Sequence, residues 1–578
     1  MAVFSFDDSD VLGRVFSVDT TTVVIDVEND QALTSMQVNR LVALESIAGQ
    51  HLVGMIQKIT RKELVLDAVE DIEASPIQNL VKVALIGTLF DKRKQQENVF
   101  TRSIEAVPRI HAACYAIENE ALTRFMRVLS STDVDESSSP LKIGVYTLDD
   151  VAEAYLDGDR FFQRHAVVVG STGSGKSWTT AQLLEQVAGL SNGNALVFDI
   201  HGEYGSLKEK GFRHLKVAGP GDLGDGKGIE DGLIYLPYWL LSYEAIVPMF
   251  VDRSDSNAPN QTVMMTELIR QSKESFLKDN GDEEVLANFT LDSPVPFDVE
   301  KVLKALKEKD VEMVAGSGGK PKQGPYFGKL TRLVARFESK INDRRLGFLF
   351  RGDNSSDYLN KLAVALTASA GEQDVDGGGV KVIDFSEVPS DILPLVISLV
   401  ARMVFALQQW TLSENRQPIA LFCDEAHNYI PDRSQADAAA EISIDIFEKI
   451  AKEGRKYGVG LVVISQRPSE VNRTVLSQCN NFVAMRLTNT EDQNRIKALL
   501  PENLGGYADI LPALDTGEAL VVGDASLLPA RVKVHEPRLK PNSATVPFWE
   551  KWSSDDKRED LAQAVRNWQR QSTKKLDS

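Results

Sequence analysis

The stretch VVVGSTGSGKSWTTAQLL, Val167–Leu184, passes from apolar β-branched residues through a turn of glycine and serine into a segment of helical composition. Its centre fits the spacing G-x-x-x-x-G-K-[ST], and a strand, a turn and a helix form the context that this motif requires. Backbone N–H groups at a helix N-terminus attract anions, because the helix dipole is positive there. The stretch therefore predicts a phosphate-binding loop made of Gly170, Ser171, Thr172, Gly173, Ser174, Gly175, Lys176, Ser177 and Trp178.

Two side chains of this loop are candidates for direct contact with a nucleotide. The lysine of such a loop reaches the β- and γ-phosphates, and the following serine ligates Mg²⁺. We therefore expect ATP and Mg²⁺ as cofactors, with Lys176 on the phosphates and Ser177 on the metal. The alternative is a glycine-rich turn that binds no nucleotide. A phosphate loop alone also fits a kinase, a switch GTPase or a motor, so a second motif must separate these classes.

The second motif is PIALFCDEAHNYIP, Pro418–Pro431, an apolar strand that ends in two acids. An aspartate at this strand end suits an outer-sphere Mg²⁺ position, and the adjacent glutamate is placed to polarise a water against the γ-phosphate. We assign these roles to Asp424 and Glu425. The alternative is that both are solvated acids at the end of a strand. The pair favours a hydrolase, because a small-molecule kinase does not need the second carboxylate.

The third motif is EGRKYGVGLVVISQRP, Glu453–Pro468. Gln466 closes the strand that follows the acidic one, so in a parallel sheet it could sense the γ-phosphate. Arg455 precedes that strand and faces away from its own phosphate loop, so it is a candidate arginine finger for the nucleotide of a neighbouring subunit. A solvated arginine is the alternative, and Arg467 and Arg486 compete for the same interface role.

A further acidic cluster follows another candidate core strand in VFDIHGEYG, Val197–Gly205. Asp199 and Glu203 are expected to organise water or Mg²⁺ near the nucleotide. A dedicated metal site is poorly supported, because two acids and His201 occur without a second histidine. His201 then remains a structural turn residue.

Composition and net charge restrict the classes of protein and the kinds of site that remain open. The chain has 578 residues with 64 basic and 83 acidic side chains, and its net charge is −19. This balance argues against a surface covered with nucleic-acid-binding charge, but it leaves a local basic channel possible.

The three cysteines, Cys114, Cys423 and Cys479, are far apart and indicate neither disulfides nor a zinc site. The longest apolar stretch contains Arg402, so we expect a cytoplasmic protein without a membrane span.

The order of apolar patterns predicts the domain organisation. Period-two runs of valine, isoleucine and threonine near the N-terminus indicate a small antiparallel barrel or sandwich, and strands alternating with helices then indicate a parallel α/β sheet. The candidate strands of that sheet are Ala166–Val169, Ala195–Asp199, Val380–Asp384, Ile419–Asp424, Gly460–Ser465 and Phe482–Leu487. The predicted parts are a β-rich domain (1–132), a linker (133–160), an ATPase core in two segments (161–245 and 379–536), a helical insertion (246–378) and a C-terminal arm (537–578).

Five blocks of sequence in this order resemble the HerA branch of the HerA/FtsK superfamily of P-loop ATPases. They are RHAVVVGSTGSGKS, VFDIHGEY, LFCDEAHNYIP, AKEGRKYGVGLVVISQRPSEV and LSQCNNFVAMRLTNTEDQ. The resemblance implies an α/β fold with a RecA-like core, a HAS-barrel-like N-terminal domain and a helical insertion. It also implies a homo-hexameric ring that moves along double-stranded DNA. Members of this family commonly act with a separate nuclease or another effector, in DNA end processing or antiphage defence.

Contact with DNA is the least direct of these expectations, because the chain is acidic overall. Affinity for duplex DNA comes mainly from neutralised phosphates, so local basic residues must provide it. The candidates, each of which could equally be an ordinary solvated charge, are Lys208, Lys210, Arg213, Lys320 and Lys322.

Two functional hypotheses follow from these motifs. The first is a DNA-translocating motor, and the second is a ring-shaped scaffold that assembles and regulates an effector with hydrolysis as a switch. A small-molecule kinase or a switch GTPase fits poorly, because Asp424 and Glu425 are paired and the guanine-reading N-K-x-D run is missing.

Overall fold

A computed structural model describes residues 3–27, 32–33, 36–63, 77–94, 96–130, 140–315, 320–352, 355–372, 379–499, 502–543, 546–554 and 561–571. The chain divides into two compact units. The first unit contains Met1–Thr179 and Asn480–Glu536, and the second contains Thr180–Cys479 and Pro537–Ser578. The phosphate loop thus lies in the first unit, whereas the acidic strand that precedes Asp424 lies in the second.

The strands are numbered in chain order. They are β1 (Val11–Val18), β2 (Thr22–Asp26), β3 (Leu41–Glu45), β4 (Gln50–Glu63), β5 (Ile77–Arg93), β6 (Gln96–Thr101), β7 (Ala113–Ala116), β8 (Leu141–Tyr146), β9 (Asp149–Leu156), β10 (Ala166–Val169), β11 (Ala195–Asp199), β12 (Phe212–Val217), β13 (Leu233–Ile234), β14 (Met313–Ala315), β15 (Pro321–Gln323), β16 (Val380–Asp384), β17 (Ile419–Cys423), β18 (Val459–Ser465), β19 (Asn481–Met485), β20 (Glu518–Gly523) and β21 (Ala530–Val534).

The α-helices are numbered in the same way. They are α1 (Asn119–Ser130), α2 (Gly158–Gln163), α3 (Lys176–Ala188), α4 (Tyr243–Phe250), α5 (Ala258–Asn280), α6 (Glu283–Asn288), α7 (Val299–Asp310), α8 (Thr331–Asn342), α9 (Gly347–Phe350), α10 (Ser356–Thr367), α11 (Leu393–Trp410), α12 (Ala438–Tyr457), α13 (Arg473–Gln478), α14 (Thr490–Leu499), α15 (Phe548–Ser553) and α16 (Leu561–Arg570).

The N-terminal part of the first unit is a closed antiparallel barrel. Its strands follow the order β2-β1-β7-β3-β4-β5, and the pairing of β2 with β5 closes the ring. β6 pairs with β5 outside the ring. Alternate residues point inward, so that Val23 and Ile25 of β2 meet Val81 and Val83 of β5 in one fully buried apolar core. The β-barrel predicted from the period-two pattern is therefore confirmed.

The other strands of the first unit form a second sheet. β10 pairs in parallel with β19, and antiparallel pairs then join β19 to β20, β20 to β21, β21 to β8 and β8 to β9. Every residue of β10 is buried, as its continuous apolar run predicts for a strand covered on both faces. The phosphate loop follows β10 directly and leads into α3.

The second unit contains a parallel sheet with the strand order β13-β12-β16-β11-β17-β18. β11, β17 and β18 are buried along their whole lengths. The crossover helices α11 and α12 connect β16 to β17 and β17 to β18. Parallel strands present their carboxyl ends at one edge, which is where such sheets place ligand sites. Asp199, Asp384 and Asp424 all stand at that edge.

Helices α4–α10 lie between β13 and β16 in the sequence, as the predicted helical insertion requires. Their contacts are mainly apolar, and the rings of Phe250 and Phe337 stack with their centroids 3.8 Å apart. Lys273 of α5 is buried here, and its Nζ donates to the carbonyl oxygens of Leu291 and Ser293, each at 2.7 Å. The hairpin of β14 and β15 belongs to the same segment and is exposed.

Most strand predictions for the α/β region are confirmed. β10, β11 and β16 have the predicted bounds, and β17, β18 and β19 differ from them by one or two residues. The linker prediction is wrong from residue 141 onward, because β8, β9 and the start of α2 lie there. β9 is the last strand of its sheet and fully buries only one face, so its sequence DDVAEAYL is polar enough to resemble a linker. The predicted linker segment Asp133–Ser139 lies outside the described residues.

Among the described helices, α11 alone is long and apolar enough to match the length and composition of a membrane span. It is a core helix by its environment, because 72% of it is buried inside the protein. Arg402 interrupts its apolar run, and the guanidinium group donates a hydrogen bond to the carbonyl oxygen of Leu240.

Candidate functional site

The phosphate loop has the backbone geometry that its glycines predict. Gly173 and Gly175 have φ angles of 75° and 110°, which side chains larger than hydrogen disfavour. A Cβ atom on Gly170 would come within 2.4 Å of Ser174 Oγ, and one on Gly175 within 2.9 Å of Met485 Cε. Each of these three positions therefore requires glycine for a definite steric reason.

Two segments that lie far away in the sequence hold the loop in place. The Ser171 N–H donates to the carbonyl oxygen of Arg486 at 2.8 Å, directly after β19. The Gly517 N–H donates to the carbonyl oxygen of Ser174 at 2.9 Å, directly before β20. Thr488 adds a backbone N–H bond of 3.2 Å to Ser171 Oγ. The sequence did not predict this bracing: the block LSQCNNFVAMRLTNTEDQ contains Arg486 and Thr488 but gives no sign of their contact with the loop, and the segment at Gly517 carries no motif.

The candidate ligands of the loop stand at the start of α3. Lys176 begins α3 and is only 8% exposed, and its Nζ is 3.5 Å from the carbonyl oxygen of Ser171. Ser177 and Trp178 follow in the first turn and are half-buried. Ser174 is fully buried, and its Oγ has no hydrogen-bond partner among the described residues. A loop with a buried cation, orphaned hydroxyl and helix N-terminus suits a phosphate group.

In the second unit, acids converge at the carboxyl edge of the parallel sheet. Asp199 lies opposite Asp384 in the pairing of β11 with β16, and Phe198 lies opposite Cys423 in the pairing of β11 with β17. Asp424 follows Cys423 and is 4% exposed. Carboxylates from neighbouring strands therefore share one buried edge.

Burial raises the pKa of Asp424 well above its usual value, and the nearby acids Glu425, Glu203 and Asp199 raise it further. A carboxylate in such surroundings requires a cation to remain ionised. Among the described residues, no group of three or more His, Cys, Asp or Glu side chains forms a complete metal cage. Proteins usually hold Mg²⁺ through one or two carboxylates together with substrate phosphates and water, and Asp424 supplies such a carboxylate. The donor set at Asp424 therefore fits Mg²⁺.

Glu425 has an unusual backbone for its residue type. Its φ and ψ angles of 42° and 47° lie in the left-handed region, which costs a non-glycine residue roughly 1 kcal/mol or more. The side chain is 9% exposed, and its Oε2 has no hydrogen-bond partner among the described residues. Strain of this kind persists only where the surrounding structure fixes it, and it concentrates at functional sites.

The strand next to Asp424 contributes Gln466 and its neighbour Ser465. β17 and β18 pair in parallel, with Cys423 opposite Val463, so both strands end at the same edge. Gln466 is half-buried directly after β18, as predicted. His427 contacts this strand end through Nδ1, which is 3.2 Å from Ser465 Oγ. His427 and Ser465 were not recognised in the sequence, because a lone histidine and a strand-end serine form no motif.

Asp199 anchors the loop after β11. Its two carboxylate oxygens accept the backbone N–H groups of Glu203 and Tyr204 at 3.0 and 2.9 Å. Burial raises the pKa of Asp199 to about 6 in spite of these bonds. The C-terminal arm packs on the same loop, where the Asn542 N–H donates to the carbonyl oxygen of Glu203 at 2.7 Å. His201 is exposed, which fits the turn role that the sequence left open.

The three candidate arginines occupy different places. Arg455 is exposed near the end of α12, directly before β18, and so lies at the amino edge of the sheet, opposite the edge that carries Asp424 and Glu425. Arg467 stands next to Gln466 and pairs with Glu470 at 2.7 Å. Arg486 belongs to the segment that braces the phosphate loop of its own chain.

The structure thus brings together Asp199, Asp424, Glu425 and Gln466 at one edge of the second unit. It places Lys176 and Ser177 in the first unit. It does not place Arg455 with the acids of its own chain.

Two family models match this chain. The model described as "Helicase HerA, central domain" matches residues 141–404, and the model described as "Helicase HerA-like C-terminal" matches residues 408–553. The first match contains the phosphate loop and Asp199, and the second contains Asp424, Glu425 and Gln466.

Curated relatives are similar over most of their length. A probable helicase of Methanocaldococcus jannaschii is 24% identical over 84% of this chain and 83% of its own length. The DNA double-strand break repair helicase HerA of Pyrococcus furiosus is 25% identical over 68% of this chain and 69% of its own. Among solved structures, VirB4 of Thermoanaerobacter pseudethanolicus is 18% identical with a TM-score of 0.44, covering 72% of this chain and 98% of that one.

Proposed function

The chain belongs to the HerA helicase family and is therefore an ATP hydrolase, and we propose that it uses hydrolysis to move along double-stranded DNA as a ring of six copies. The observation that carries this proposal is the buried acidic edge of the second unit, in which Glu425 follows Asp424 with a strained backbone. A protein that only binds nucleotide has no need for a second, strained carboxylate there.

In the proposed reaction, the backbone N–H groups of the loop and Lys176 bind the phosphates of ATP. Ser177 and Asp424 would hold Mg²⁺, which neutralises phosphate charge during hydrolysis. Gly173 and Gly175 let the loop backbone take the positive φ angles of this conformation. The elevated pKa of Asp424 falls when a cation is bound, because the cation stabilises its ionised form.

Glu425 orients and polarises the attacking water in this mechanism. It takes the role because it is adjacent to Asp424 and its Oε2 is without a partner among the described residues. Gln466 ends the neighbouring strand and is assigned to sensing the γ-phosphate. Hydrolysis then changes the contacts of that strand end, which is the type of local change a motor needs.

Assembly into a ring is supported by the position of Arg455. An arginine at the amino edge of the sheet cannot serve the acids at the carboxyl edge of the same sheet, but it is exposed and available to a neighbouring subunit. An arginine supplied in trans stabilises transition-state charge in related reactions. We therefore assign Arg455 to the nucleotide bound by the adjacent copy.

DNA contacts are assigned to exposed lysines. Lys320 and Lys322 lie in the exposed hairpin segment of the helical insertion, and Lys208 and Lys210 precede β12. A ring repeats every such charge in each subunit, so a few lysines can neutralise several phosphates in spite of the acidic total. Cutting of DNA is assigned to a separate nuclease or other effector, in DNA end processing or antiphage defence.

The proposal is tested by measuring ATP turnover and mass in solution, with and without linear duplex DNA. We expect a hexamer whose turnover rises with DNA and falls about 100-fold in Glu425→Gln, while ATP binding is retained. A matched control is Glu441→Gln, which changes an exposed acid in the first turn of α12. A hexamer that hydrolyses ATP slowly and ignores DNA would favour the scaffold role instead. A Glu425→Gln chain with parental turnover would refute the assignment of Glu425.

A further inference from the structure

His427 lies between the two strand ends that carry the proposed hydrolytic residues. It stands in a short 3-10 helix, Ala426–Asn428, directly after Glu425. Its Nδ1 atom makes a hydrogen bond of 3.2 Å with Ser465 Oγ and lies 3.4 Å from Glu425 Oε2, an oxygen that has no hydrogen-bond partner among the described residues in the present geometry. Ser465 is the last residue of β18, directly before Gln466, and it is fully buried. One ring nitrogen therefore touches both strand ends.

The ring is held in this place by its surroundings. The backbone around it forms successive turns, with the Asn428 N–H donating to the carbonyl oxygen of Glu425 at 2.9 Å and the Ile430 N–H donating to that of Ala426 at 2.7 Å. Ser465 Oγ in turn accepts the backbone N–H of Arg467 at 3.0 Å. The contact thus joins the loop after β17 to both sides of Gln466.

A neutral imidazole cannot donate from Nδ1 to Glu425 and to Ser465 at the same time. Burial lowers the pKa of His427 below its ordinary value, so the ring carries a single N–H at neutral pH. A proton on Nδ1 can be donated to Glu425 or to Ser465, but not to both along favourable directions. In the other tautomer Nδ1 accepts from the Ser465 hydroxyl, and Glu425 loses its only nearby donor on this ring.

We propose that His427 is a positioning residue for ATP hydrolysis, whose Nδ1 atom holds the Glu425 carboxylate and links it to the strand end that bears Gln466. A change at Gln466 reaches Ser465 through the backbone, and the Ser465 hydroxyl then alters the donor available to Glu425. The glutamate is in this way oriented according to the state of the γ-phosphate. This inference rests on the function proposed above, since it assumes that Glu425 orients the attacking water.

Asparagine and glutamine, the two amino acids with amide side chains, offer a matched pair of substitutions for His427. The terminal amide of asparagine stands at the position of the histidine Nδ1, whereas that of glutamine stands at the position of Nε2. Only asparagine can therefore restore a donor toward both Glu425 and Ser465. Both amides are neutral and polar, so a general loss of packing or polarity affects them alike.

The experiment compares kcat and KM for ATP in the full-length parent, His427→Asn and His427→Gln, each with its melting temperature. We expect His427→Gln to lower kcat about 10-fold with KM changed less than about twofold, and His427→Asn to stay within about threefold of the parent. Parental kcat in His427→Gln overturns the inference. Equal losses in both variants at unchanged melting temperature overturn it too, since Nδ1 is then not the atom that acts.

Ser465→Ala provides a second test that keeps the imidazole intact. We expect it to lower kcat about threefold, and the double variant with His427→Gln to be no slower than His427→Gln alone. Multiplied losses in the double variant, or parental kcat in Ser465→Ala, would mean that the two residues are not linked. If His427→Gln does not fold, the kcat of Ser465→Ala alone decides the question.

The same series separates this inference from the proposed function. A parent chain with no ATP turnover overturns both. Turnover that depends on Glu425 but is unaffected by His427→Gln and Ser465→Ala overturns the inference alone.

Discussion

The phosphate loop of the first unit and the acidic edge of the second are the two halves of this comparison, and they are built by opposite means. The loop is defined by its backbone: left-handed glycines at 173 and 175, and N–H bonds from distant segments to Ser171 and Ser174. The acidic edge is defined by buried side chains, with Asp199 fully buried and Asp424 4% exposed. The first half requires the absence of side chains, and the second requires charged side chains that burial disfavours.

This difference shows how each half responds to change. The backbone N–H groups of the loop are already oriented for an anion in the absence of ligand. Substitutions that add a side chain disturb this orientation. A buried cluster of acids is unfavourable until a cation joins it, because burial and mutual repulsion both raise the pKa of Asp424. The predictions below test the two halves in order of decreasing effect.

The largest effect is expected for Lys176→Ala, which removes the buried cation of the loop. Turnover should fall by about 1000-fold or more and ATP affinity should fall with it, because in the proposed site Lys176 contacts phosphate in both ground and transition state. Steady-state hydrolysis and equilibrium binding of a fluorescent ATP analogue measure the two effects. Lys304→Ala, on the exposed face of α7, is the control and should match the parent.

Arg455→Ala tests whether the acidic edge is completed by another subunit. We expect turnover to fall by about 1000-fold, as in other reactions that use an arginine in trans. Mixed rings of Arg455→Ala and Lys176→Ala subunits should regain activity, because an intact loop can then meet an intact arginine at about a quarter of the interfaces. The measurement is turnover after subunit exchange at equal amounts. Mixtures as inactive as the separate variants would place Arg455 outside the neighbouring site.

Gly175→Ala probes the backbone half of the comparison. The added Cβ would meet Met485 Cε at 2.9 Å, in a residue whose φ is 110°. We expect about 10-fold lower turnover and roughly 1–3 kcal/mol lower stability. Gly205→Ala is the control, because a Cβ there meets nothing within 4 Å. Equal effects of the two substitutions in turnover and melting assays would contradict a loop that depends on its glycine backbone.

The smallest effect concerns Lys381, another buried charge of the second unit. Its Nζ donates to Asn194 Oδ1 and, at 2.7 Å, to the carbonyl oxygen of Ala368. Burial lowers the pKa of Lys381 to about 7. An unfolded lysine titrates near about 10.4, so between these values the unfolded chain binds more protons than the folded chain, and stability rises with pH.

Lys381→Met removes this titration. The stability of the parent relative to the variant should therefore increase from pH 7 to pH 9, by at most about 1.4 kcal/mol per pH unit. Melting temperatures of both chains at the two pH values measure the change. A difference that stays constant would show that the folded chain keeps Lys381 protonated.

Much of the fold was predictable because apolar patterning reports burial. The continuous runs of β10, β11 and β18 predict strands covered on both faces, and the alternation in β2 predicts one face inside a barrel. β9 was missed because its three acids make it resemble a polar linker, and the short apolar strand β8 was placed in the same predicted linker. The helical insertion was predictable from its charged, helix-forming segments, but its hairpin and internal packing were not.

The candidate site also has features that the sequence predicts and features that only the folded structure shows. The sequence by itself determined the phosphate loop, the paired acids after β17 and the glutamine after β18, because each consists of neighbours along the chain whose spacing carries the chemistry. Only the tertiary structure decided that Ser171 and Ser174 are braced by residues near 486 and 517, and that Asp199 and Asp424 share a buried edge. It also decided that His427 touches Glu425 and Ser465 at once. Apart from the local contact of His427 with Glu425, these contacts join residues tens to hundreds of positions apart. Burial and strand register set them, and both arise only when the strands pair.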